Sequence, residues 1–341
     1  MTAAAACSTN LRSSAGATTA SSKSSCTTTR CSSRWCSTRS PPSFPPLSPV
    51  TRLCPERRIT MASLIALQTY HTLTGLFAPQ LAVRSARRIL MRPRRLPARD
   101  WEQPAIDSAQ RIHFRFGLSG LRWGKPGDPV VLMLHGWEGR ASQFGRFIAP
   151  LLAAGRQVIA LDGPAHGQSP GEEANPIVFA YALMEVVPEL DRLEAIVGHS
   201  MGAGALVYAL SLGLSVDRVV LLGGPSSLRG VLNRFADFVG LPGPAHARFF
   251  REVEDYTGVP VDDLDGVRAA PRLKPAALIV HDRDDEMVPY GDSAALAASW
   301  PGAELYSTSR LGHWRILTDE RVVQRVVSFI APERQQLPRA A

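Results

Sequence analysis

The 341-residue chain is 45% hydrophobic and 20% charged, a balance that can bury a sizeable core and excludes disorder throughout. Its formal net charge of +8 is concentrated at one end: residues 1–60 carry eight Lys/Arg and one acid, residues 61–100 seven and one, and residues 101–341 carry 23 basic and 28 acidic side chains. The body is therefore mildly acidic, which argues against nucleic acid as its partner; with all five cysteines at or before Cys54 it also has no disulfide, thiol nucleophile or thiolate metal site.

Residues 1–60 are rich in Ser and Thr, hold prolines at Pro41, Pro42, Pro45, Pro46 and Pro49, and show no sustained apolar periodicity, so they read as a disordered extension. Their Arg-containing, acid-poor composition is shared by organellar transit peptides. The simpler reading is that the extension is not part of the mature protein, because Met61 opens a sequence of different character. No His accompanies Cys26, Cys31 and Cys36, and no metal site is expected there.

Residues 61–105 are expected to form an N-terminal helix and an Arg-rich connector. Met61 to Val83 carry no formal charge, but Gln68, Thr69, His71, Thr72, Thr74 and Gln80 dilute the ~20 predominantly apolar residues that a membrane span needs. A helix docked on the body is favoured, and peripheral membrane contact through residues 61–99, with the Arg flank on anionic lipid, is the alternative. The expected location is cytoplasmic, with membrane association only through this segment.

From about residue 106 the pattern is regular. Apolar runs at Val130 to Leu134, Val158 to Leu161, Ala195 to Val197, Val219 to Leu222 and Ala276 to Val280 alternate with helix-like stretches, and such alternation gives a parallel sheet covered on both faces, an α/β fold. Arg111 to Trp123 reads as an antiparallel hairpin at the sheet edge. The body divides into a first core part, 106–225, a second core part, 276–335, and between them residues 226–275, too long for a structureless loop. Val231 to Phe238, His246 to Tyr256 and Val261 to Val267 within that interval read as the short helices of a cap.

The sharpest local feature is Gly198-His199-Ser200-Met201-Gly202, a G-x-S-x-G sequence between an apolar strand and a small-residue helix. The glycines allow strand and helix to pass closely, so that Ser200 projects from the turn as a nucleophile. A serine hydroxyl needs a base and a group to orient that base. Among eight histidines, His313 follows the last strand and precedes the final helix, where it can return to the strand tips. His135, His166 and His281 also lie at strand ends but read more simply as packing or loop-fixing residues. The acid should come from the loop after Val280, where spacing alone does not choose among Asp282, Asp284 and Asp285.

Four motifs in order, His135-Gly136-Trp137, Asp162-Gly163-Pro164-Ala165-His166-Gly167, the Gly198 to Gly202 turn, and the acid loop followed by Gly312-His313, resemble the α/β-hydrolase family over roughly residues 106–333. The resemblance implies the α/β-hydrolase fold, a mostly parallel central sheet with helices on both faces and a small helical cap. Members often carry H-G-x-x-D-x-x-V-P at the acid loop; this maps the acid onto Asp285, with Asp282 standing where glycine is usual. It further implies catalytic Ser200, Asp285 and His313, an oxyanion hole from the backbone N–H groups of Trp137 and Met201, and no metal or organic cofactor. The implied activity is serine-dependent hydrolysis of a carboxylic ester on a small-molecule acyl substrate. Thioester or amide hydrolysis, acyl transfer and C–C hydrolysis use the same constellation, and a non-catalytic binding protein on the same fold is a further alternative. Phe144, Phe235, Phe238, Met287 and Trp314 are candidate pocket walls because they flank these motifs or lie in the cap.

Overall fold

The computed structural model describes residues 60–332, so the extension, apart from Thr60, lies outside the described residues. The chain begins with α1 (Met61–Phe77), α2 (Pro79–Met91) and α3 (Gln103–Asp107), then β1 (Gln110–His113), β2 (Ser119–Trp123) and β3 (Val130–Leu134). It continues through α4 (Gly145–Ala153), β4 (Gln157–Asp162), α5 (Pro176–Val186), β5 (Leu193–His199), α6 (Met201–Ser211) and β6 (Arg218–Leu222). The helices α7 (Leu228–Val239), α8 (Gly243–Thr257) and α9 (Gly266–Ala269) precede β7 (Ala276–Asp282), α10 (Tyr290–Ser299), β8 (Glu304–Thr308), α11 (Gly312–Arg315) and α12 (Glu320–Ile330).

The strands form one sheet in the order β1-β2-β4-β3-β5-β6-β7-β8. The β1–β2 and β2–β4 pairs are antiparallel and the others parallel. Side chains on a strand point alternately to opposite faces. Leu132, Ile159, Ile196 and Val219, side by side in the register, therefore enter one apolar layer with α5 and α6, and Met133, Ala160, Val197 and Val220 enter the other with α4 and α12. Burial on both faces is why these strands read as unbroken apolar runs rather than alternating ones.

The N-terminal segment differs from the expected single helix and connector. Two helices form, broken at Ala78 by the Pro79 that starts α2, a position where the missing N–H costs nothing. Arg84 to Met91 is helical because Ala82, Val83, Ala86 and Met91 make a buried stripe between the arginines. This stripe shares an apolar layer with Ala245, Phe249 and Val253 of α8. Gln68 and Thr72 of α1 donate to the carbonyls of Phe238 and Gly240 at the end of α7. Residues 226–275 form α7, α8 and α9 with short turns between them, and α7 and α8 are packed by α1 and α2. Where the insertion leaves and rejoins the sheet it is tied by a Ser227–Asp265 bridge and by the Gly266 N–H on the Ser226 carbonyl at 2.7 Å.

Candidate active site

The β5–α6 turn carries Ser200 at φ 52° and ψ −121°, a left-handed backbone that costs a non-glycine residue of order 1–3 kcal/mol. Close packing holds it there. A Cβ on Gly198 would lie 2.8 Å from the Ala203 nitrogen, and one on Gly202 2.5 Å from the carbonyl oxygens of Leu134 and His135, so only glycine fits at either position. The Ser200 N–H donates to the Leu222 carbonyl at 2.8 Å, which fixes the turn to the neighbouring strand.

Two loops meet at this turn. His313, at the start of α11, places Nε2 2.9 Å from Ser200 Oγ and Nδ1 2.7 Å from Asp285 Oδ2. Asp285 is fixed from its other side, because Oδ1 accepts the N–H groups of Met287 and Val288 at 2.8 and 2.9 Å. Burial alone would raise the Asp285 carboxyl. Hydrogen bonds from His281, His313 and the Val288 N–H outweigh it and hold the group well below the usual carboxylate range.

The acid loop's ambiguity is thereby resolved geometrically. Asp282, fully buried, turns away from His313: Oδ1 accepts the Asp284 N–H at 3.0 Å, and Oδ2 accepts the Thr308 hydroxyl at 2.7 Å and the Leu311 N–H at 3.1 Å. Asp284 accepts the Arg310 N–H. Both brace the segment that carries His313, and only Asp285 reaches the ring.

His135, His166 and His281 have their ring nitrogens on neighbouring groups, whereas the buried Nδ1 of His199, at the end of β5, has no hydrogen-bond partner among the described residues. His135 Nε2 accepts the Gly163 N–H at 2.9 Å, leaving Nδ1–H to donate to the Gly136 carbonyl at 2.7 Å. His166 Nε2 accepts the Glu138 N–H at 3.0 Å and its Nδ1–H donates to the Pro164 carbonyl. Burial pushes both rings below their usual values. His281 Nε2 lies 2.9 Å from the Val288 carbonyl and 3.4 Å from Asp285 Oδ2, with Nδ1 on the Ser293 hydroxyl. His199 donates from Nε2 to the His313 carbonyl at 3.1 Å, and its ring sits 4.9 Å from that of His313; burial first, then the nearby His313, pushes it down to about 3.

Sequence reasoning missed the support of the 136–139 loop. Glu138, at φ 54°, is gripped by Arg94 through the backbone N–H at 3.1 Å, Nε at 2.7 Å and NH2 at 2.6 Å. Arg95 next to it donates to the carbonyls of Gly167, Ser169 and Gly171. The "connector" thus clamps two loops of the body, and no local pattern announces pairings that span 44 and 72–76 residues.

The candidate pocket residues separate. Phe144 is corrected: it is fully buried in the layer of α4 and α12, edge-on to Phe147, because the turn Ala141 to Phe144 tucks it beneath the sheet. Phe235 is also a packing residue, stacked on Phe249 at 5.9 Å, and Phe238 is 44% exposed on α7. Trp314 stays at the site, its ring 5.3 Å from His313 and 5.5 Å from His199. Met287, exposed, lies on the loop that holds Asp285, and Trp137 packs edge-on against His166. Among the described residues no group of three or more His, Cys, Asp or Glu is placed to hold a metal ion.

Comparison with known proteins agrees with this architecture. Residues 129–241 match the family described as the alpha/beta hydrolase fold. Over 251 residues the chain is 28% identical to a 2-hydroxy-6-oxo-6-phenylhexa-2,4-dienoate hydrolase of Burkholderia cepacia, an alignment covering 59% of this chain and 86% of that one. Over 121 residues it is 36% identical to a serine hydrolase-like protein of Dictyostelium discoideum, covering 33% of each. An esterase of Pyrococcus furiosus has the same fold, with a TM-score of 0.53 at 21% identity over 70% of this chain and 98% of that one. The chain has the α/β-hydrolase fold. The relatives quoted are named hydrolases, and the chain is a hydrolase.

Proposed function

We propose that the protein is a serine hydrolase that cleaves a carboxylic ester through an acyl-enzyme, with Ser200 as nucleophile, His313 as base and Asp285 as the orienting acid. The observation that carries the reading is the unbroken relay from Ser200 Oγ to His313 Nε2 and from His313 Nδ1 to Asp285 Oδ2, at 2.9 and 2.7 Å, in a chain of α/β-hydrolase fold. As Ser200 Oγ bonds to the acyl carbon, His313 Nε2 takes its proton, and Asp285 stabilises the imidazolium through Nδ1–H. The carbonyl oxygen becomes an oxyanion between the N–H groups of Trp137 and Met201. Met201 opens α6, where an N–H has no partner within the helix, and each such donor contributes ~3–4 kcal/mol to an acyl-transfer transition state. Collapse breaks the ester C–O bond, the departing alcohol takes the proton from His313, and water deprotonated by His313 then releases the acid. The helices of residues 226–275 serve as a cap over this site, with Met287 and Trp314 beside the reacting groups as pocket walls.

C–C bond hydrolysis is the second reading, favoured by the Burkholderia relative and by the coverage of its alignment. One experiment tests both. Wild type and Ser200→Ala are assayed on acyl esters of graded chain length and on 2-hydroxy-6-oxo-6-phenylhexa-2,4-dienoate, with benzoate as the product sought, alongside fluorophosphonate labelling. Ester turnover and single labelling, both abolished by Ser200→Ala, support the esterase; benzoate release in the absence of ester turnover selects the second reading; normal labelling of Ser200→Ala overturns both.

A further inference from the structure

Helix α1 is uncharged along all 17 residues. Its inner side is occupied, with His71 and Gly75 buried and Gln68 and Thr72 bonded to the end of α7. On the other side Met61, Ile65, Leu73, Leu76 and Phe77 are each more than half exposed, Phe77 at 84%. A surface helix ordinarily carries its charges on that side, and a contiguous exposed apolar face marks a surface that something covers.

The start of α2 indicates what covers it. Leu81 is 60% exposed, and Arg84 and Arg88 follow at i+3 and i+7, which puts all three in one row along the helix. Both arginines are exposed and have no carboxylate partner among the described residues. Arg87 and Arg92, in the same stretch, face inward to Glu252 and to Glu172 and Glu173. The basic residues thus divide into a set satisfied by the body and a row of two left exposed on the helix that follows the apolar one. An exposed, largely apolar helix face followed in the chain by unpaired guanidinium groups complements an acyl layer bordered by anionic headgroups. Helix α1 is about 26 Å long, and no helix among the described residues is long and apolar enough to cross a membrane, which leaves an orientation in the plane of the surface.

We propose that the outer face of α1, continued by Leu81, Arg84 and Arg88, docks the protein on an anionic bilayer surface. The proposal is independent of the chemistry assigned to Ser200. Its test is sedimentation of the full chain with vesicles of phosphatidylcholine, and of phosphatidylcholine with one third phosphatidylglycerol, at low and high salt. Wild type should sediment preferentially with the anionic vesicles and be released by salt. Arg84→Ala/Arg88→Ala should weaken anionic binding about 25-fold, about 5-fold for each arginine brought to the surface. Leu73→Asp/Phe77→Asp should weaken binding to both vesicle types. Unchanged far-ultraviolet melting of the variants shows that the fold is kept. Absence of wild-type binding to anionic vesicles overturns the proposal, as does binding that all the substitutions leave intact. Conversion of a dimer to a monomer by Leu73→Asp/Phe77→Asp without vesicle binding would assign the face to a second copy of the chain instead.

Discussion

Replacing Asp285 by Asn changes one atom, and the surroundings dictate which way the new amide faces. The N–H groups of Met287 and Val288 both point at the Oδ1 position, so the amide oxygen must occupy it. The NH2 group then stands where Oδ2 stood, 2.7 Å from His313 Nδ1, and meets a ring N–H as a second donor. The ring escapes by moving its proton to Nε2, where it can no longer accept one from Ser200. Loss of ~10⁴ in kcat is the scale for a base held in the wrong tautomer, about 5.4 kcal/mol in the barrier. Asp282→Asn is different in kind: at best its amide keeps Thr308 and Leu311 and loses Asp284, one buried charge-assisted bond worth ~2 kcal/mol of stability. Asp284→Asn can still accept the Arg310 N–H and should cost under ~0.5 kcal/mol. The assay pairs kcat on an acyl ester, and the rate of fluorophosphonate labelling, with urea unfolding of each variant. If Asp282→Asn were the folded but inactive protein, or all three lost activity equally, the relay through Asp285 would be wrong.

Three further outcomes are expected. His199, His135 and His166 have folded pKa values below the unfolded 6.5, so the unfolded chain binds more protons and stability falls as the pH drops below about 6.5. His199 alone accounts for about 2 kcal/mol between that point and about pH 5, and His199→Gln, which can still donate to the His313 carbonyl, should flatten the dependence; urea midpoints unchanged from neutral pH to pH 5 would refute this. Arg94→Ala removes the two guanidinium bonds to Glu138 beside Trp137, leaves the backbone one, and should lower kcat several-fold with little change in KM, whereas a matching loss in Arg88→Ala would show that the effect is not local. Phe235→Ala, which removes the stack on Phe249, should cost ~2–3 kcal/mol in unfolding free energy, and Phe238→Ala under ~0.5 kcal/mol; the reverse order would put Phe238 in the packing.

The parallel strands were legible because burial on both faces leaves runs such as Val130 to Leu134 with no polar member. The Ser200 turn was legible because close approach of strand and helix admits only glycine at Gly198 and Gly202. Spacing alone did not separate Asp285 from Asp282; the family resemblance pointed to Asp285, and side-chain direction distinguishes the three acids by what they face. The helix through Arg84 to Met91 was obscured because half of its buried stripe, Ala82 and Ala86, is alanine, which carries little apolar signal among arginines. The Arg94–Glu138 pair joins two segments 44 residues apart, and neither sequence hints at the other.

The hydrogen bonds of α1 and α2 also set an order of events during synthesis. Arg87 must wait for Glu252, 165 residues later, and Gln68 for Phe238, 170 residues later. At about 5–20 residues per second that is roughly 10–30 s on the ribosome. Through that interval α1 has α2 to pack against, as in the His71–Ser85 bond, but not the helices of the insertion. These two helices are thus secured only late in synthesis, and a ribosome stalled before α8 presents an uncharged helix followed by an arginine-rich one to whatever chaperone or lipid surface is nearest.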